Sequence, residues 1–301
     1  MPQLTLSHGH TMHYTEHGNP KGAPVVYLHG GPGSGSKASH TRYFNLKSQW
    51  VILYDQRGCG RSTPLGQTKH NTTQLLIEDL ERLRSHLNIQ KWQVVGFSWG
   101  STLALAYAQA YPKRVSGLTI GAVYLGTKAE TEWLTQPTGA AMFYPAEYAA
   151  ATALAKPGAV LKALAGSDKK RARQVAEAWT LFDALTMEFE PDAAAIKASL
   201  KADAYLPTRM KVMHHYFANN CFFTPNQLLK GAAKLKNIPL HIVQAHYDMC
   251  TPPAAALALH KALPGSTLTM VTHAGHRATP PVQKARIAAV AQQARALAKG
   301  K

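Results

Sequence analysis

The sequence predicts an α/β architecture, in which a mostly parallel central sheet carries helices on both faces and is interrupted by an inserted helical cap. Three observations carry that expectation. Short, continuously apolar runs end in turn residues; segments with helical spacing lie between them; and the alternation stops at about Tyr124 and resumes after about Lys236. A continuously apolar run fits a strand buried on both faces, as a parallel sheet requires, and strand–helix alternation is how parallel neighbours are joined.

Taken in order, residues 3–6 and 11–16 alternate weakly and read as an opening strand pair. Val25-Val26-Tyr27-Leu28 is the first continuous run and ends in His29-Gly30-Gly31-Pro32-Gly33. Trp50 to Tyr54 is the second, closed by Asp55-Gln56-Arg57-Gly58. A helix follows, with Asn71 as its expected cap, Gln74 three residues on, and Leu76, Leu80, Leu83 and Leu87 on one face. Trp92 to Gly96 is the third run, followed at once by an Ala/Leu helix from about Gly100 to Tyr111 that Pro112 ends. Val115 to Ile120 is the fourth. From about Tyr124 to Lys236 the chain is Ala-rich and helix-prone, with Trp133, Trp179, Phe182 and Tyr216 as apolar anchors. Strand-like runs return at Leu240–Val243 and Leu268–Val271, with a helix between them and an Ala-rich helix closing the chain. The organisation expected is a core of residues 1–123 and 237–301 interrupted by a helical cap of residues 124–236.

Composition narrows the function classes. Of 301 residues, 46% are hydrophobic and 16% charged, which excludes a disordered or collagen-like chain. Three cysteines with no CxxC pair speak against a disulfide scaffold or a zinc ribbon. His8, His10, His13 and His17 are irregularly spaced on expected edge strands and do not make a metal site. The apolar stretches fall short of the ~18 residues that span a bilayer, and the N-terminus lacks a basic start followed by an apolar core. The expectation is a cytoplasmic protein without a membrane partner. Lys and Arg number 33 against 16 Asp and Glu, a formal net charge of +17. Such a field attracts anions, but no recognition helix, zinc finger or aromatic platform accompanies it, so nucleic acid is not the expected partner. The densest basic run, Lys169 to Arg173, reads as a solvated helix face.

Chemistry is concentrated at Gly96-Phe97-Ser98-Trp99-Gly100, a G-x-S-x-G motif between a strand-like run and a helix. That context is a nucleophile elbow, in which a sharp turn exposes the serine oxygen at a helix N-terminus suited to developing negative charge. A serine nucleophile needs a base, and the base an orienting acid. In chain order the acid precedes the histidine. Asp248 follows the Leu240 run, and His276 follows the Val271 run in Thr272-His273-Ala274-Gly275-His276. His276 is favoured over His273 because Gly275 permits a tight loop; His246 is a neighbour without a role. Two backbone N–H groups must stabilise the oxyanion, and Trp99 and Gly31 are the candidates. The glycine loop lacks the spacing and the Lys-Ser/Thr pair of a nucleotide site. Asp55, Arg57 and Arg61 read as organisers of a loop, and Cys250 has no motif-paired histidine to make it a nucleophile.

HGGPG at 29–33, DQRGCGRS at 55–62 and GFSWGSTLALAYA at 96–108 resemble the proline iminopeptidase family of α/β-hydrolases, and HYF at 215–217, HYDMCTPP at 246–253 and AGH at 274–276 extend the match. The resemblance implies the α/β-hydrolase fold with a helical cap. It also implies a serine exopeptidase releasing N-terminal proline, with neither metal nor organic cofactor, and supports Ser98, Asp248 and His276 as its triad. Family members place glutamates in the cap to bind the substrate's α-amine. Asp183 stands at the first of these positions, in Ala178-Trp179-Thr180-Leu181-Phe182-Asp183, and Met213 at the second, before His215-Tyr216-Phe217. Asp183 is therefore the expected substrate-binding residue, with Glu188 or Glu190 as candidates to compensate for Met213. An esterase or amidase of the same fold, acting without a free α-amine, is the alternative reading, and a non-catalytic binding relative a third.

Overall fold

The computed structural model describes residues 2–299. Eight strands form one sheet in the order β1-β2-β4-β3-β5-β6-β7-β8, where β1 is Gln3–Thr5, β2 Thr11–Gly18, β3 Ala23–Leu28, β4 Gln49–Tyr54, β5 Trp92–Phe97, β6 Val115–Gly121, β7 Leu240–Ala245 and β8 Thr267–Val271. The β1–β2 and β2–β4 pairings are antiparallel; every pairing from β4 through β8 is parallel. The sheet is thus parallel where the candidate site stands, with the expected opening pair as its antiparallel edge.

The continuous apolar runs serve two faces at once. Val26, Leu28, Ile52, Tyr54 and Val94 join the main core with helices α1 (Thr73–His86) and α2 (Trp99–Ala110). Their neighbours Val25, Tyr27, Val51, Leu53, Val95 and Phe97 pack on the other face against Val290 of α11 (Pro280–Lys299). Alternate side chains point to opposite faces, so a strand covered on both sides must be apolar throughout. In α1, Leu76, Leu80 and Leu83 are buried as the spacing predicts. Its cap is Thr72, whose hydroxyl accepts from the Leu75 N–H, and not Asn71. Asn71 is instead a buried loop staple: its amide donates to the carbonyls of Arg57 and Gln67, and its oxygen accepts from Tyr216.

Between β6 and β7 run α3 (Lys128–Thr135), α4 (Pro145–Leu154), α5 (Val160–Ala165), α6 (Lys169–Thr186), α7 (Ala193–Ala202), α8 (Leu206–Ala218) and α9 (Gln227–Lys230). Val160, Leu164, Val175, Trp179, Phe182, Leu185 and Met210 give this insertion an apolar cluster of its own. Helix α10 (Pro253–Ala262) joins β7 to β8. The basic run at the start of α6 is only half solvated: Lys169 and Lys170 are exposed, but Arg173 pairs with Glu177 at 2.6 Å and donates to the carbonyls of Leu200 and Asp203. No helix among the described residues is long and apolar enough to cross a membrane.

Candidate active site

Three strand ends converge. Ser98 follows β5 directly, Asp248 lies three residues beyond β7, and His276 five beyond β8. The carboxyl ends of parallel strands are where α/β sheets collect functional groups.

Ser98 sits at φ 58, ψ −131, a conformation that costs a non-glycine residue of order 1–3 kcal/mol and is held by its surroundings. Its N–H donates to the Gly121 carbonyl, and its carbonyl accepts from the Ser101 hydroxyl at 2.6 Å. The flanking glycines are sterically required: a Cβ on Gly96 would collide with the Gly100 carbonyl, and one on Gly100 with the Leu28 carbonyl. Ser98 occupies the cap position of α2, yet its hydroxyl makes no capping bond. That oxygen lies 3.0 Å from His276 Nε2.

Asp248 takes up the other side of the imidazole. His276 Nδ1 is 2.9 Å from Asp248 Oδ2 and 3.1 Å from Oδ1. An ionised carboxylate only accepts, so Nδ1 carries the proton and Nε2 presents its lone pair to the serine hydroxyl. Asp248 is 2% exposed and accepts further bonds from the Thr251 N–H at 2.7 Å and the Thr251 hydroxyl at 2.9 Å. His273 and His246 are exposed and stay outside this chain of bonds. Gly275 serves the loop differently from expectation. Its φ is ordinary, but a Cβ there would press to 3.0 Å against the Met187 carbonyl of the cap.

The glycine loop after β3 lies alongside. A Cβ on Gly30 would sit 3.5 Å from Ser98 Cβ, and Gly31 turns at φ +115. Buried His29 fixes the loop: Nδ1 stands 2.8 Å from the Gly30 carbonyl and 3.2 Å from the Gly35 N–H, and Nε2 accepts from the Gln56 N–H at 3.1 Å. Burial lowers its pKa, which favours the neutral imidazole this pattern needs. Gln56 also donates to the His29 carbonyl and accepts from Trp99 Nε1 at 2.8 Å, so the two loops and α2 are cross-linked. Burial alone would raise the Asp55 carboxyl, but hydrogen bonds from the Ser36 and Arg61 backbones outweigh it and hold Asp55 below its ordinary value. Arg57 is consumed by a bidentate buried pair with Asp79, at 2.5 and 2.7 Å. These residues hold loops in place, as their sequence context suggested. Among the described residues no three His, Cys, Asp or Glu side chains are grouped to hold a metal ion.

This geometry has relatives. The α/β hydrolase fold family matches residues 23–278. A proline iminopeptidase of Neisseria meningitidis serogroup B is 38% identical over 297 residues, covering 95% of this chain and 94% of the relative. One from Arabidopsis thaliana is 37% identical over 303 residues, covering 98% of this chain and 79% of the relative. The chain belongs to the proline iminopeptidase family of α/β hydrolases. It is a hydrolase by membership of that family. Among solved structures, an α/β hydrolase from a Medee basin deep-sea metagenome library superposes with a TM-score of 0.70 at 18% identity, over 97% of this chain and 96% of that one, a likeness of fold.

At the two positions expected to face an amine, Asp183 and Met213, the geometry is sparse. Asp183, near the end of α6, is pushed up to about 7 by burial, with no donor or cation opposing it. Its charge is felt at the Cys250 thiol, two residues beyond Asp248, where burial, then Asp248, then Asp183 raise the pKa. Met213 on α8 packs against the apolar cluster of the cap. Neither expected compensation is made. Glu188 is committed to Arg277 in a 2.5 Å ion pair, and Glu190 is exposed. The cap is tied instead to the loops that carry the site. The Arg277 N–H donates to the Met187 carbonyl, Trp133 Nε1 donates to the Met249 carbonyl at 2.7 Å, and Phe189 stacks on Tyr247. Sequence reasoning missed Thr251 and Gln56. The Asp248-to-Thr251 spacing is a side-chain–backbone turn signal, whereas nothing local marks Gln56.

Proposed function

We propose that this chain is a serine exopeptidase that releases N-terminal proline from peptides. Ser98 is the nucleophile, His276 the base, Asp248 its orienting carboxylate, and the backbone N–H groups of Gly31 and Trp99 the oxyanion donors. The observation that carries the reading is the unbroken line of hydrogen bonds from Ser98 Oγ through both nitrogens of His276 to Asp248. In that line His276 Nε2 takes the serine proton as Oγ attacks the scissile carbonyl, then delivers it to the leaving amine. The acyl-enzyme is released by water through the same base. Asp248 stays ionised and stabilises the imidazolium. The N-terminal end of α2 and the loop N–H groups meet the charge that develops on the carbonyl oxygen. The cap of residues 124–236 covers the core of residues 1–123 and 237–301, and Asp183 is the carboxylate that meets the substrate's α-amine. Three free cysteines fit a reducing, cytoplasmic setting.

Met213 favours a second reading, an esterase or amidase with relaxed dependence on a free amine. Comparing proline arylamide, its N-acetylated form and a short acyl ester separates the two. A charge-assisted bond to the amine is worth about tenfold or more in kcat/KM. The free-amine arylamide should therefore lead its acetylated form by at least that factor, and Asp183→Ala should raise its KM while leaving ester turnover unchanged. Equal kcat/KM for the free and acetylated forms would overturn the peptidase reading in favour of the second.

A further inference from the structure

We infer that Thr251 is a positioning residue for the reaction, acting through Asp248 and His276; the inference rests on the assignment of those residues and Ser98 as the reacting set. Thr251 lies on the loop between β7 and α10 and is 4% exposed. Its hydroxyl stands 2.9 Å from Asp248 Oδ2 and 3.2 Å from His276 Nδ1. A hydroxyl has one proton and two lone pairs, and Nδ1 carries a proton. The arrangement that satisfies every atom has Thr251 donating to Oδ2 and offering a lone pair to the Nδ1–H, which is then shared between the carboxylate and the hydroxyl. Because the Thr251 N–H also donates to Oδ1 at 2.7 Å, this one residue supplies a donor to each carboxylate oxygen. The carboxylate plane is thereby fixed on two sides before the imidazole joins it.

Gln244, fully buried on β7, completes the frame. Its Nε2 donates to the Thr251 carbonyl at 3.0 Å and approaches Asp248 Oδ2 at 3.4 Å. Its oxygen accepts from the Val123 N–H, at the point where the chain leaves β6 for the cap. Thr251 is thus held by β7 and has little freedom to turn its hydroxyl elsewhere. A hydroxyl on the inner side of the acid–base pair keeps Nδ1–H aimed at Asp248 while Nε2 gains its proton. Its removal loosens Asp248, which keeps the Thr251 N–H on Oδ1 but loses the hydroxyl donor to buried Oδ2.

The test uses Thr251→Val, which keeps the side chain's shape and loses the hydroxyl, and Thr251→Ser, which keeps the hydroxyl and loses the methyl. Both are compared with Ser98→Ala, using proline arylamide. One hydrogen bond to a charged group is worth about tenfold in rate. Thr251→Val should lower kcat by about that factor with KM within twofold, per site titrated by a fluorophosphonate. The downfield proton resonance of His276 Nδ1–H should move or broaden. Thr251→Ser should restore kcat and the resonance to near wild type. Equal losses in both variants would mean that the methyl group's packing matters and not the hydroxyl, and would overturn the inference. So would wild-type kcat in Thr251→Val alongside an inactive Ser98→Ala. Persistent turnover in Ser98→Ala would instead overturn the underlying assignment.

Discussion

In the proposed reading, Asp183 is the residue whose physical state most directly shapes specificity. Its ordinary carboxyl value of 3.8 is raised to about 7 in the fold by burial. A raised carboxyl pKa means that ionisation is disfavoured in the native state. The penalty is absent below 3.8, grows between 3.8 and 7, and is complete above 7, with an upper bound of about 4 kcal/mol that residual solvent contact reduces. Asp183→Asn should therefore raise Tm at pH 8 and leave it unchanged at pH 3. Binding an ammonium group needs the ionised form. The ratio of kcat/KM for a free-amine arylamide to that for an acyl ester should thus fall as the pH drops below about 7, the requirement for a neutral base cancelling between the two substrates. A ratio flat from pH 5 to 8 contradicts Asp183 as the amine's partner. The amino-acid identity of Asp183 and Met213 was legible in the sequence. The fate of Glu188 was not, because its partner Arg277 lies far along the chain and meets it only when the cap closes on the His276 loop.

Under the proposed function, the strand ends hold the reacting groups and the cap helices hold the substrate side. The strand ends were readable because burial on both faces leaves a continuous apolar signature, and because the motif glycines have no alternative where two backbones touch. The cap was readable only as a helix-prone interval. In α6 the stripe Ala172, Val175, Ala176, Trp179 and Phe182 is buried at helical spacing, but that spacing does not tell which neighbouring helix it meets. Trp179 is 1% exposed, donates to the Ala155 carbonyl at 3.0 Å and packs edge-on against Phe182 and Tyr148. Trp179→Ala should cost about 3–5 kcal/mol and raise KM for proline arylamide. A fluorophosphonate should still label Ser98, because the proposed reacting residues stand at the turn after β5 and on the loops after β7 and β8. Loss of labelling in a variant that keeps its near-ultraviolet circular dichroism contradicts that division.

Across the whole molecule, a sheet with its candidate site at one end is closed by a cap fastened at several places to the loops beneath it. The cost of loosening the cap is therefore shared with the loops that carry Asp248 and His276. The basic residues behind the formal charge of +17 are spread along the sequence, and some of the arginines, Arg57 and Arg173 among them, are structural ties. A net charge of that sign sets a long-range field that attracts anions. In the proposed mechanism Ser98 Oγ, driven by His276 and Asp248, is the atom through which this family member cleaves. The decisive measurement titrates proline-arylamide hydrolysis with a fluorophosphonate and locates the adduct by peptide mapping. Under that mechanism activity should fall to zero at one equivalent, with the adduct on Ser98 and none formed in Ser98→Ala. Hydrolysis that survives full modification of Ser98, or an adduct on another residue that tracks the loss of activity, would contradict it.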